Sequence, residues 1–305
     1  MTLPSGDWYT ERVSPTLIQQ FKLRARLFKG ASKFQPIEIV ETEPMGRTLL
    51  LEEKTQSAEL DEFIYHEALV HPALIAHANP KRVFIGGGGE GATLREVLRH
   101  KTVARCVMVD IDGELMEICK QYLPTWHAGA FDNPRATVIA GDALAYLRRT
   151  KEKFDVIIMD INDPLEGGPG VLLYTKDFYR MLLARLAPGG IIVTQAGPAS
   201  YGVAGLHSAI CNTVRKGTGK VSPYKVNMVS FASDWGYAMS GPGAKPVSLT
   251  AAEVDRRIAK RIGPKLRYYD GQAHIGMFNL PKWLREKIEK EKRTITKDTQ
   301  VFLEA

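Results

Sequence analysis

The stretch Arg82-Val83-Phe84-Ile85-Gly86-Gly87-Gly88-Gly89-Glu90-Gly91-Ala92-Thr93-Leu94 decides the fold. An apolar run leads into glycines, and the glycines open onto a helical run that continues through Val97 and Leu98. Strand, glycine turn and helix in that order form the turn of a Rossmann-type nucleotide site. Such turns usually offer bare backbone N–H groups to an anion. Glu90 opposes that use, because a carboxylate there repels a pyrophosphate, and it favours a cationic ligand instead. The turn therefore reads as a site for an adenosine compound that carries positive charge and no phosphate.

Downstream the pattern alternates. Strands are expected at 82–85, 106–109, 136–139, 156–159 and 191–194, and helices at 92–99, 113–122, 143–149 and 177–186. This alternation implies an α/β fold with a parallel sheet covered on both faces, whose ligands lie at the carboxyl ends of the strands. Upstream, residues 37–41 and 47–51 alternate around Glu43-Pro44-Met45-Gly46 and read as a hairpin with a four-residue turn. The chain divides into a β-rich N-terminal domain, 1–56, and a Rossmann-like catalytic domain with a C-terminal tail, 57–305. A helix is expected from Asp61 to about His71, with Pro72 ending it or starting a new turn. Residues 242–256 read as a mobile or capping insertion.

Bulk composition narrows the classes. The 305 residues are 44% hydrophobic and 25% charged, as in an ordinary globular protein with a substantial core. No apolar run approaches the roughly 20 residues of a membrane span, and no secretory signal opens the chain. Cys106, Cys119 and Cys211 have no CxxC spacing and read as buried reduced thiols, so the cytosol is the expected location. The net charge is +7 and the pI about 9.2, which invites a nucleic-acid reading. The C-terminal cations alternate with Glu286, Glu289 and Glu291, however, as on a solvated helix face. No nucleic-acid partner is expected.

Acids sit at the ends of the expected strands. Asp110 lies about 20 residues past the glycines, where an acid accepts hydrogen bonds from ribose hydroxyls. Alone it is an acid at a strand end; the glycine turn gives it meaning. Asp142 in Gly141-Asp142 either caps the helix that follows or accepts the amine of adenine, and one side chain can serve both. Asp160-Ile161-Asn162-Asp163-Pro164 places two carboxylates at the end of a central strand. Burying both without a partner is costly, so they share a proton or bind a cation; the plainer reading is an acidic turn. The following Leu165–Gly170 is rich in glycine and proline and is placed to close over a ligand. Tyr174 and Tyr179 either line the same crevice or pack.

His66-Glu67-Ala68-Leu69-Val70-His71 nearly spells a zinc-protease helix. An HExxH pair sits roughly 40° apart on a helix, whereas this five-residue step gives roughly 140°, so a shared metal is not expected. No P-loop, GxSxG turn or Ser/His/Asp arrangement is present.

Taken together, Gln35, Gln56, Asp61–His66-Glu67, the glycine run with Glu90, Asp110-Ile111-Asp112, Gly141-Asp142, Asp160–Pro164 and the closing 266–281 segment resemble the polyamine aminopropyltransferases, the spermidine and spermine synthase family. The resemblance runs from about Trp8 to Leu280. It implies a methyltransferase-like Rossmann domain behind a small N-terminal β-hairpin domain, in a homo-oligomer, dimer or tetramer. It implies decarboxylated S-adenosylmethionine as aminopropyl donor, a polyamine as acceptor, 5′-methylthioadenosine as by-product, and neither a resident cofactor nor a metal. Matched positions imply that Gln35 and Asp110 hold the ribose, Asp142 the adenine, and Glu90 and Asp160 the donor's amino group beside Gly87 and Gly88. Asp160 is the implied base. Tyr65, Asp160 and Asp163 place the attacking amine, with Gln56, Gln195 and Trp235 nearby.

Thr194–Pro198 and Ser230–Gly236 look most like thermospermine synthases. Spermidine synthases commonly carry an acid after the glutamine-glycine where this chain has Gln195-Ala196-Gly197. The open place suits a longer triamine, with Asp234 or Glu166 holding its distal charge. Spermidine is the expected acceptor and thermospermine the expected product. The alternatives are a spermidine or spermine synthase and, from the same fold, an S-adenosylmethionine-dependent methyltransferase.

Overall fold

The computed structural model describes residues 5–14, 16–164, 170–262 and 265–303. The N-terminal part forms β1 (Trp8–Ser14), β2 (Leu17–Ala31), β3 (Pro36–Thr42), β4 (Gly46–Leu51) and β5 (Lys54–Ala58). They pair in sequence order as one antiparallel sheet. The expected hairpin is β3–β4, with Ile39 opposite Leu49. Its connection is one residue shorter than expected, because Gly46, at φ +69°, already pairs with Thr42. Ile37, Ile39, Leu49 and Leu51 face one way and bury against Leu115, Cys119 and Trp126 of the second sheet's helices. That contact presses the small sheet onto the large one.

The second sheet has seven strands: β6 (Arg82–Gly87), β7 (Arg105–Asp110), β8 (Ala136–Ala140), β9 (Phe154–Asp160), β10 (Leu186–Pro198), β11 (Ser222–Met228) and β12 (Ser233–Ser240). Their order is β11-β12-β10-β9-β6-β7-β8, with β10 to β8 parallel and β12 and β11 antiparallel. The helices are α1 (Glu62–Ala76), α2 (Ala92–Leu98), α3 (Gly113–Tyr122), α4 (Pro124–His127), α5 (Ala143–Arg149), α6 (Lys176–Leu183), α7 (Gly205–Thr218), α8 (Ala251–Arg261), α9 (Gly271–Phe278) and α10 (Lys282–Lys290). Period-two alternation distributes β6 between two cores. Val83 and Ile85 pack with Leu69, Leu94 and Val97 on one face, and Phe84 packs with Leu147, Leu182 and Ile210 on the other. The chain runs from β6 outward to β8 and returns at β9 on the opposite side of β6. That reversal opens a crevice above the carboxyl ends of β6 and β9, where such sheets bind ligands.

Three expectations are corrected. Helix α1 continues through Pro72 to Ala76. A proline removes the bond to the carbonyl four residues back, and Tyr224 Oη donates to that carbonyl, Ala68 O, at 2.9 Å. The helix expected at 177–186 ends at Leu183, because Leu186 pairs with Phe154 as the start of β10. The expected insertion at 242–256 leads into α8, whose Arg261 donates to the carbonyls of Leu74 and His77, both at 2.9 Å. It therefore caps the end of α1, where carbonyls lack helical partners, and contributes nothing to the crevice. All three cysteines are buried and unbridged. Among the described residues, no helix is long and apolar enough to cross a membrane.

Candidate active site

A cleft of about 1040 Å³ lies between the N-terminal sheet and the carboxyl ends of β6, β7 and β9. Glu90, Asp110, Asp142, Asp160 and Asp163 all line it, with Gln35 and Gln56 supplied by the N-terminal sheet. The sequence scattered these groups over 129 residues; the reversal of strand order gathers them.

The glycine turn is held against β9. Gly88 N–H donates to the Asp160 carbonyl at 2.9 Å. Gly87 has φ +84°, and a Cβ there would stand 2.0 Å from that same carbonyl oxygen. Only glycine meets both demands. At the end of β7, Asp110 Oδ1 accepts from Asp112 N–H at 2.8 Å. Burial, with the Asp112 charge adding to it, pushes the Asp110 carboxyl up to about 6. Gln35 Nε2 donates to Asp112 Oδ2 at 3.0 Å, and Asp112 also caps α3 by accepting from Leu115 N–H at 3.0 Å. Asp112 therefore anchors Gln35 beside Asp110. Asp142 caps α5, accepting from Leu144 N–H at 2.7 Å and Ala145 N–H at 3.2 Å, while still lining the cleft.

Glu90 has a partner that sequence reasoning missed. His66 Nε2 lies 2.6 Å from Glu90 Oε1, and His66 Nδ1 lies 3.0 Å from Glu62 Oε2, itself 2.9 Å from Arg95 Nη2. Burial alone would favour neutral imidazole, but the Glu90 and Glu62 carboxylates outweigh it and push the His66 pKa up to about 10. Burial raises the Glu90 carboxyl, and His66 opposes that shift. The available signal was the four-residue Glu62–His66 step on α1. His71 turns elsewhere, to Glu96 at 3.0 Å, so the two imidazoles of the near-zinc motif diverge as expected.

Asp160 is held by two donors: Tyr65 Oη at 2.9 Å on Oδ1 and Thr93 Oγ1 at 2.5 Å on Oδ2. Asp163 accepts from Gln195 Nε2 at 3.0 Å, and burial pushes its carboxyl up to about 6. Gln195 Oε1 in turn accepts from Trp235 Nε1 at 3.2 Å. Tyr174 supports this wall by donating to the Asn162 carbonyl at 3.1 Å, whereas Tyr179 is core. Tyr65, Phe231 and Trp235 form an aromatic wall, with ring centroids 6.0 and 4.6 Å apart in succession. Gly197, at φ +72°, lies between Asp163 and Leu206, where a Cβ would come within 3.5 and 3.0 Å of them.

Asp234 does not join the site. Along β12, Ser233 and Trp235 line the cleft, so Asp234 between them projects from the opposite face. There it pairs with Lys225 and accepts from Asn227 Nδ2 at 3.2 Å. Glu166 and the rest of 165–169, the expected closing segment, lie outside the described residues.

A doubly wound sheet whose crevice is walled by carboxylates is suited to a cationic ligand. Comparison with known proteins gives the family. Residues 62–249 match the family described as Spermine/spermidine synthase domain, and residues 7–59 match Spermidine synthase tetramerisation domain. Over 98% of its length the chain is 44% identical to a polyamine aminopropyltransferase of Aeropyrum pernix, covering 96% of that protein. It is 40% identical to thermospermine synthase ACAULIS5 of Arabidopsis thaliana, over 97% of this chain and 87% of that one. A crystal structure of spermidine synthase in complex with the transition state analogue AdoDATO superposes with a TM-score of 0.85 at 30% identity, covering 93% of this chain and 95% of that one. The chain belongs to the spermine/spermidine synthase family, and is a transferase of the polyamine aminopropyltransferase class.

Proposed function

We propose that the protein moves the aminopropyl group of decarboxylated S-adenosylmethionine to spermidine, giving thermospermine and 5′-methylthioadenosine. The observation that carries this reading is the convergence of Glu90, Asp110, Asp160 and Asp163 on one cleft. Loss of the methionine carboxylate leaves a donor that is cationic at both sulfonium and amine, which makes Glu90 an asset. Gln35 and Asp110 take the ribose hydroxyls, Asp142 takes the adenine amine, and Glu90 with one Asp160 oxygen takes the donor's ammonium.

The acceptor amine is protonated at neutral pH and attacks only after losing a proton. Asp160 accepts that proton, and Tyr65 fixes the carboxylate that does so. The amine nitrogen then bonds to the carbon next to sulfur as the carbon–sulfur bond breaks. The bonding pair leaves on sulfur, and neutral methylthioadenosine departs. The sulfonium is already an activated leaving group, so no resident cofactor is invoked. Alignment contributes several kcal/mol and base catalysis about 10²–10⁴-fold. Asp163, Gln195 and Trp235 hold the amine chain behind the attacking nitrogen, with Gln56 across the cleft.

Spermidine as acceptor is supported by the likeness to a thermospermine synthase. Self-association through the N-terminal sheet is supported by the tetramerisation family that it matches. Thermal shifts with intact and decarboxylated S-adenosylmethionine test the donor. Stronger stabilisation by the decarboxylated form is expected, and stronger stabilisation by the intact form would favour a methyltransferase.

A further inference from the structure

The wall of the cleft is largely acidic, and its cations are not spread evenly. Lys54, Lys287 and Arg293 line it. Lys54, on β5, donates to the Arg12 carbonyl. The other two belong to the C-terminal part of the chain, Lys287 to α10 and Arg293 to the segment after it. Neither has a role in the transfer itself, and both face a space that receives a polycation.

Packing and hydrogen bonds fix where they stand. Arg293 Nη2 donates to Gly205 O at 2.9 Å, at the start of α7. The next residue of α7, Leu206, packs against Gly197, where a Cβ would come within 3.0 Å of Leu206 and 3.5 Å of Asp163 Oδ1. Leu284 and Ile288, which flank Lys287 on α10, bury in the same core as Leu206. Farther along, Leu303 N–H donates to Pro164 O at 3.1 Å, and Val301, Phe302 and Leu303 line the cleft. The C-terminal part of the chain therefore closes the end of the cleft next to Asp163, with an apolar stretch and two cations. Arg293 is paired with Glu291 at 2.6 Å, and Glu286 lies 3.7 Å from Lys282. Lys287 is exposed, and among the described residues no carboxylate lies within ion-pair distance of it. An ammonium group arriving at this end meets like charge and apolar side chains that cannot replace its water. Repulsive elements of this kind set specificity by penalising the wrong partner. We propose that Lys287, with Arg293 at the same end of the cleft, limits the length of the acceptor. An amine chain that runs on past Asp163 brings its next ammonium against these cations, so spermidine is accepted, a linear tetraamine is refused, and transfer stops after one aminopropyl group.

This inference rests on the proposed polyamine reading, and its test separates the two. kcat/KM is measured for spermidine and for spermine at saturating decarboxylated donor, in wild type, Lys287→Met and Lys287→Glu. The side chain is exposed, so both changes leave the fold intact. Repulsion between exposed charges is screened, and two such contacts contribute about 3- to 30-fold. Wild type should prefer spermidine by that factor, mainly through KM. The preference should fall in Lys287→Met and fall further in Lys287→Glu, while the donor Kd stays the same. Added salt should also lower the preference of wild type, which a purely steric wall would not allow. An equal preference in all three proteins, or a wild-type preference that salt leaves unchanged, overturns the inference alone. So does a wild type that uses spermine as readily as spermidine. Absence of transfer to any polyamine by wild type overturns the reading and the inference with it.

Discussion

His66 Nε2 stands 2.6 Å from Glu90 Oε1, so the carboxylate proposed to receive the donor's ammonium already has a partner within the protein. Burial raises the Glu90 carboxyl, and the His66 contact works against that rise. A histidine whose folded pKa is raised gives stabilisation that is full below its unfolded pKa and is lost as pH rises through the folded one. For His66 that window runs from 6.5 to about 10. His66→Asn should therefore cost about 3 kcal/mol near neutral pH, and its Tm deficit against wild type should shrink as pH rises toward 10. A deficit independent of pH would show that the imidazole is uncharged.

Asp160→Asn should lower kcat/KM by at least about 10²-fold, because a general base is lost. Its affinity for methylthioadenosine should change far less. Tyr65→Phe removes a single donor to the same carboxylate and should cost about 10-fold in kcat. Single-turnover kinetics separate these effects from binding, and near-normal turnover by Asp160→Asn would remove it as the base.

Burial pushes the Asp110 and Asp163 carboxyls up to about 6. Carboxyls raised on folding make the empty protein less stable as pH climbs from about 4 to about 6. Cationic ligands bind the ionised forms, so affinity runs the other way. The amine's kcat/KM should fall as pH drops below about 6, and Asp163→Asn should be low throughout and lack that limb. KM for the donor should follow Asp110 instead, so Asp110→Ala should weaken the nucleoside much more than the amine. Equal losses for both would contradict the ribose assignment.

Tyr224→Phe should destabilise the protein by about 1–3 kcal/mol, because the Ala68 carbonyl loses its donor beneath Pro72. Pro72→Ala restores a backbone N–H to that carbonyl, so the double variant should recover most of the loss. Denaturant unfolding of the four proteins gives the coupling directly. Strict additivity would mean that the hydroxyl does not compensate the proline.

What the sequence disclosed, and what it withheld, follow from one distinction. The glycine turn, the parallel strands and the acids at their ends are local patterns set by period and spacing, and the structure has them. The partners of those acids come from elsewhere in the chain. His66 and Glu90 are separated by strand β6, and Asp163 meets Gln195 only once β9 and β10 have paired. Asp234, expected to hold a distal charge, stands off the cleft because neighbours on a strand face opposite ways and Trp235 takes the cleft side. Pro72 looked like a helix end because the hydroxyl that offsets it sits on β11.

The most direct measurement is chromatography of the products formed from decarboxylated S-adenosylmethionine and spermidine. The account predicts methylthioadenosine and a tetraamine in equal amounts, the tetraamine eluting with authentic thermospermine rather than spermine. Intact S-adenosylmethionine giving S-adenosylhomocysteine and a methylated product, with no tetraamine from the decarboxylated donor, would contradict it.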